Sequence, residues 1–93
     1  MANYAAVIQI HNRAMAAHNA GIEAAKAEVE TMEAPDGETE KERKARIDGN
    51  MAKVDMMDFQ GAQALEEQLF QTLSNVTMKE NQTLAAIAGN IGR

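Results

Sequence analysis

The 93-residue chain contains no cysteine and no tryptophan, one proline, one tyrosine and two phenylalanines. Without cysteine there is no disulfide, no thiol nucleophile and no thiolate metal ligand, and the fold is indifferent to redox compartment. With so few aromatics, packing falls to alanine and to seven methionines. Alanine is the best helix former, and methionine fills irregular gaps, so thin, adaptable helical contacts are expected. No run approaches the roughly 18–20 apolar residues of a membrane span. The basic-then-apolar pattern of a cleaved signal peptide is also missing. Basic residues are scarce: nine Lys and Arg face fourteen Asp and Glu, a net charge of −5. That balance argues against nucleic-acid binding, which needs a basic face to displace counterions. There is no glycine-rich phosphate loop, no nucleophile beside a base and no Cys/His cluster. The expectation is a single small non-enzymatic domain with no cofactor and no metal.

What is present is helical periodicity. Tyr4, Ile8, His11, Met15, His18, Ile22, Ala25, Val29 and Met32 follow a 4-3-4-3 spacing, the seam of a helix packed side by side on another. Helix 1 is predicted over about 3–32, with Asn3 as N-cap. His11 and His18 share one edge of this seam and are half of a metal site at most. A polar pair that sets register is the simpler reading.

Glu33-Ala34-Pro35-Asp36-Gly37 ends the helix. Proline pushes the preceding residue out of helical geometry, and Asp-Gly is a strong turn pair. Thr39 and Glu42 then form a capping box. The short loop, 33–38, predicts an antiparallel hairpin with a second helix over about 39–90. Asp48-Gly49-Asn50 is the one strong breaker, so a helix 2 split near Gly49 is the alternative. Glu40–Lys44 and Glu42–Arg46 are the expected ion pairs along its first turns.

Helix 2 has a different rule. Ile47, Met51, Val54, Asp58, Ala62, Leu65, Leu69, Leu73, Val76, Glu80, Leu84, Ile87 and Ile91 recur with an eleven-residue period. Such a stripe is nearly straight, unlike a left-handed heptad seam. The two stripes are therefore expected not to pair along their whole length. Asp58 and Glu80 are too far apart on one helix to act as paired catalytic carboxylates; each is expected to face solvent or a neighbour's basic residue. Phe59 and Phe70, eleven apart, lie on a second apolar face roughly 90° from the stripe, with Met56 and Met78 near it. Two apolar faces on one helix predict self-association. The residues expected to carry it are Phe59, Leu65, Leu69, Phe70, Leu73, Val76, Leu84, Ile87 and Ile91.

From Gln60 onward the order Gln60, Gln63, a leucine-rich turn, Ser74-Asn75, Leu84, Ile87, Asn90-Ile91 and Arg93 resembles the C-terminal helix of type III secretion needle subunits and, less closely, inner-rod subunits. Gly37 and Glu38 stand where that family's loop carries a second proline, and Glu80-Asn81 stands near the place of its Lys-Asp pair. The resemblance implies a subunit exported without a cleaved signal, found outside the cell or at its surface. It also implies a homo-oligomer polymerising around a channel beside other secretion-apparatus proteins, with Gln82, Asn90 and Arg93 lining the lumen. Apart from the resemblance, a cytoplasmic dimeric four-helix bundle remains open, an adaptor or secretion chaperone joined through the helix-1 seam. So does an accessory subunit ordered on a larger complex.

Overall fold

The computed structural model describes residues 3–91 and is an all-α antiparallel hairpin, α1 over Tyr4–Thr31 and α2 over Glu40–Ile91. It measures 83 × 16 × 12 Å. α1 begins where the Asn3 side chain accepts a hydrogen bond from the Ala6 amide at 3.3 Å. That bond satisfies one of the donors the first turn leaves free. Met32 turns extended and stops the helix. Pro35 to Glu38 then form a turn closed by the Glu38 amide on the Pro35 carbonyl at 3.2 Å. Gly37 takes a φ of +80° in this turn, a conformation that side chains with a Cβ resist.

Thr39 caps α2 by accepting from the Glu42 amide at 3.1 Å. The Glu42 carboxylate returns to the Thr39 hydroxyl, also at 3.1 Å, where a full capping box would place it on the Thr39 amide. Arg46 does not pair with Glu42. It reaches back eight residues and grips Glu38 with both arms, Nε to Oε2 at 2.8 Å and Nη2 to Oε1 at 3.0 Å. The planar fork matches a carboxylate, and Glu42 is already engaged by Thr39. The clasp ties the loop to the second turn of α2.

α2 runs unbroken through Gly49. Glycine costs a helix about 1 kcal/mol relative to alanine, but Ile47, Met51 and Val54 pack on α1 on either side of it. That packing carries the helix across. Among the described residues the buried ones are Ile22, Val29 and Val54.

The helix-1 seam differs from the heptad expected of it. Ile22 and Val29 are buried, and His11, Met15, His18 and Ala25 are half-buried, but Tyr4, Ile8 and Met32 are exposed. Val7 and Ala14 turn inward instead. The inward sequence is 7, 11, 14, 18, 22, 25, 29, which is the eleven-residue spacing of α2 and not a heptad. A straight α-helix drifts about 20° per heptad, so two heptads from Ile22 the position at Ile8 has rotated off the seam. The two stripes therefore do match, and they pair along the whole of α1.

The Arg46 hydrogen bond holds the Glu38 carboxyl below its usual value of 4.5; burial opposes this, and the charges of Arg46 and then Arg43 add to it. A carboxyl lowered by folding contributes stability above its unfolded value, lost as pH falls through the lowered one. Glu38→Gln should thus lower the urea midpoint at neutral pH. The gap to wild type should close well below pH 4.5, as denaturation curves across that range will read.

Candidate functional site

Among the described residues the polar chemistry between the two helices centres on one insertion, His18 with Asp58. At the middle of the interface His18 Nε2 donates to Asp58 Oδ1 at 2.8 Å. The histidine side chain is little exposed, the aspartate more so. Asp58 therefore meets a partner within its own chain, while its side chain also stays in contact with solvent. One turn on, Gly61 lies directly under the imidazole: a Cβ there would run into Cε1 and Nδ1 of His18. The pair and the glycine form a lock and seat, which fixes the sliding position of one apolar stripe on another. A second marker lies at the start of α1, where the Tyr4 hydroxyl and Thr77 Oγ1 are 2.9 Å apart. His11 lies in a shallow groove with Val7, Ile10, Ala14, Leu65 and Leu69. Among the described residues no group of three His, Cys, Asp or Glu side chains is placed to hold a metal ion.

The nine residues read from the sequence as an assembly surface divide into two groups. Leu65, Leu69, Leu73 and Val76 are half-buried along the interface side of α2. α1 already covers them, so they are the hairpin's own interface first. Phe59 and Phe70 stay about two-thirds exposed, at 67% and 68%, and Met56 and Met78 beside them are exposed too. Leu84, Ile87 and Ile91 are also exposed. They belong to the α2 stripe, but α1 begins opposite Thr77 and leaves them bare. From Asn81 to Ile91 every residue is exposed. Gln82 and Asn90 lie on this overhang; Gly92 and Arg93 lie outside the described residues.

Where α1 begins, the molecule has a step. Asn3, Val76, Lys79, Glu80, Thr83, Leu84 and Ile87 line a cleft of about 440 Å³ there. Oε2 of Glu80 is shut off from solvent with no hydrogen-bond partner among the described residues. A carboxylate beside a helix N-terminus is favoured by the positive end of the helix dipole, which suits Glu80 to this position in the stripe.

Three participants escaped the sequence reading. Val7 and Ala14 were hidden because alanines at 5, 6, 14, 16 and 17 let several faces of α1 pass as a seam. Gly61 carried a signal, three residues after Asp58 on the inward side of α2, that meant little until His18 was placed over it. Compared with protein-family models, with curated proteins and with solved structures, the chain matches none.

The glycines separate packing from propensity. Gly49 has nothing within 4 Å of an added Cβ, so Gly49→Ala should stabilise by roughly 0.5–1 kcal/mol. Gly61→Ala should destabilise by about 1 kcal/mol, because the lost His18–Asp58 bond and the clash outweigh the propensity gain. In a His18→Ala background the same change should become stabilising. Thermal unfolding by circular dichroism at one fixed protein concentration reads all three, and a stabilising Gly61→Ala in wild type would contradict the lock.

Proposed function

We propose that this protein is a structural subunit that self-associates through the apolar faces α1 leaves uncovered, building a helical filament or tube. The observation that carries the reading is surface area. The chain exposes 7455 Å², whereas a compact monomer of its mass would expose about 5,300 Å². The excess, on the order of 2,000 Å², is the scale that subunits of obligate assemblies bury. Among the described residues three are buried, Ile22, Val29 and Val54, and none completely; a core of that size gives a lone hairpin little stability. Contacts with further copies would supply what the hairpin lacks.

The face on Phe59 and Phe70 is suited to lateral contact. It is apolar, runs along α2 at an eleven-residue repeat, and lies to the side of the intramolecular seam. Burying each phenylalanine is worth roughly 1.5–3 kcal/mol. Polymer growth needs such a face to meet a different face on the next copy, because a contact that closes on itself stops at a dimer. The resemblance of the C-terminal helix to secretion-needle subunits supports a tube in particular, and with it export without a cleaved signal.

A closed bundle is the second reading, and one feature favours it. A shallow groove between the helices, lined by Val7, Ile10, Ala14, Leu65 and Leu69, leaves apolar side chains open to contact with another hairpin. A bundle joined through the helix-1 seam is less favoured, since Ile22 and Val29 of that seam are already buried against α2.

The two readings part on one variant. Phe59→Asp with Phe70→Asp should keep wild-type helicity, because neither side chain packs in the hairpin. Under the filament reading it should abolish large species in sedimentation at high concentration. Polymers that persist in this variant would remove the phenylalanine face from the assembly; a wild-type chain that stops at a discrete dimer would favour the closed reading.

A further inference from the structure

We infer that the C-terminal overhang of α2 is a two-fold contact site for the same overhang of a second copy, the two segments lying antiparallel. This rests on the self-association proposed above and names one of its contacts. Leu84, Ile87 and Ile91 continue the stripe of Leu73, Val76 and Glu80 in unbroken 3-4-4-3-4 spacing. Up to Thr77 that stripe is covered by an antiparallel helix. The overhang presents the same pattern with no helix on it, over eleven residues or about 16 Å. It asks for an antiparallel helix of the same period. Among the described residues the stretch in that phase left uncovered is the overhang itself. A second copy is the occupant that carries the matching stripe.

Charge permits the pairing. The chain is acidic overall, but no charged side chain occurs between Glu80 and Arg93. Two identical overhangs can meet without like-charge repulsion. Ala85, Ala86, Ala88 and Gly89 between the apolar positions allow close approach. Direction matters as well. An antiparallel neighbour on α2 runs in line with α1, so its C-terminal end points at the N-terminus of α1. That sets the negative end of one helix dipole toward the positive end of another. With Ile87 beside its own symmetry mate, Ile91 of one copy lies beside Leu84 of the other.

The contact is small. Two eleven-residue overhangs bury on the order of 600–800 Å² in total, below the roughly 1,200 Å² of a stable isolated interface. It is also isologous, so it closes on itself. Its part is to join hairpins in pairs that other faces, above all Phe59 and Phe70, extend.

The absence of native cysteine makes the test direct. Single variants of the full chain, Ile87→Cys, Gln82→Cys, Leu84→Cys and Ile91→Cys, are oxidised at high concentration and disulfide-linked dimers are timed. Leu84, Ile87 and Ile91 are exposed and lie outside the buried core, so helicity should be unchanged. Ile87→Cys should cross-link at least tenfold faster than Gln82→Cys, which lies on the opposite face. Leu84→Cys and Ile91→Cys should each react slowly alone and rapidly when mixed. The double Phe59→Asp, Phe70→Asp background should leave this pattern intact. Rapid cross-linking of Leu84→Cys and Ile91→Cys each with itself would mean parallel overhangs and overturn the inference. Large species without preferential linkage at Ile87→Cys would overturn it while leaving self-association standing. Chains monomeric at every concentration, with all four variants equally slow, would overturn both.

Discussion

Everything in this molecule depends on two helices sharing one spacing of apolar residues. An eleven-residue period gives about 3.67 residues per turn, so two such stripes lie side by side with almost no supercoil. The hairpin is straight and 83 Å long because neither helix has to wrap around the other. The same constraint makes the stripe narrow. One side of each helix is covered, and the flanks, carrying Phe59, Phe70, Met56, Ile8 and Ile10, stay in solvent. A two-helix layer cannot do otherwise.

A uniform apolar stripe has a weakness: it can slide by a repeat and pack nearly as well. The polar insertion answers this. His18 on one helix and Asp58 on the other meet at 2.8 Å, and Gly61 alone lets the imidazole seat. Sliding would leave both groups against apolar neighbours, at the cost of unpaired polar groups in the interface. The Tyr4–Thr77 contact marks the same alignment four turns away. Alignment in turn decides how much of α2 is left over. The overhang from Asn81 to Ile91 is thus set by the lock in the middle of the hairpin, and any assembly contact on it inherits that setting.

Much of the fold was legible because local chemistry decides it. Asn3 before an apolar periodic run, Pro35 with Asp36-Gly37, and Thr39 with Glu42 mark helix ends by hydrogen bonds made within a few residues. The stripe of α2 was legible because its leucines, isoleucines and valines stand out among polar neighbours. The phase of α1 was not. Its alanines give no contrast, and Ile8 fits a heptad as well as Val7 fits the longer period; only the partner helix decides between them. The glycine at 49 looked like a break because propensity is local, whereas the packing of Ile47, Met51 and Val54 that overrides it is not. For the candidate surface, the exposed phenylalanines and the isoleucines of the overhang were readable from the sequence. Leu65, Leu69, Leu73 and Val76 bear the same apolar signature, and a sequence does not say which copy of a helix will cover it.

The claim that the uncovered faces exist to be covered by further copies is tested most directly on the wild-type chain. Molar mass is followed by light scattering behind size exclusion, from micromolar to near-millimolar concentration. The expected result is a mass that rises steadily with concentration and passes well beyond a dimer. A mass fixed at 10.1 kDa across the whole range, with full helicity and cooperative unfolding, would contradict it.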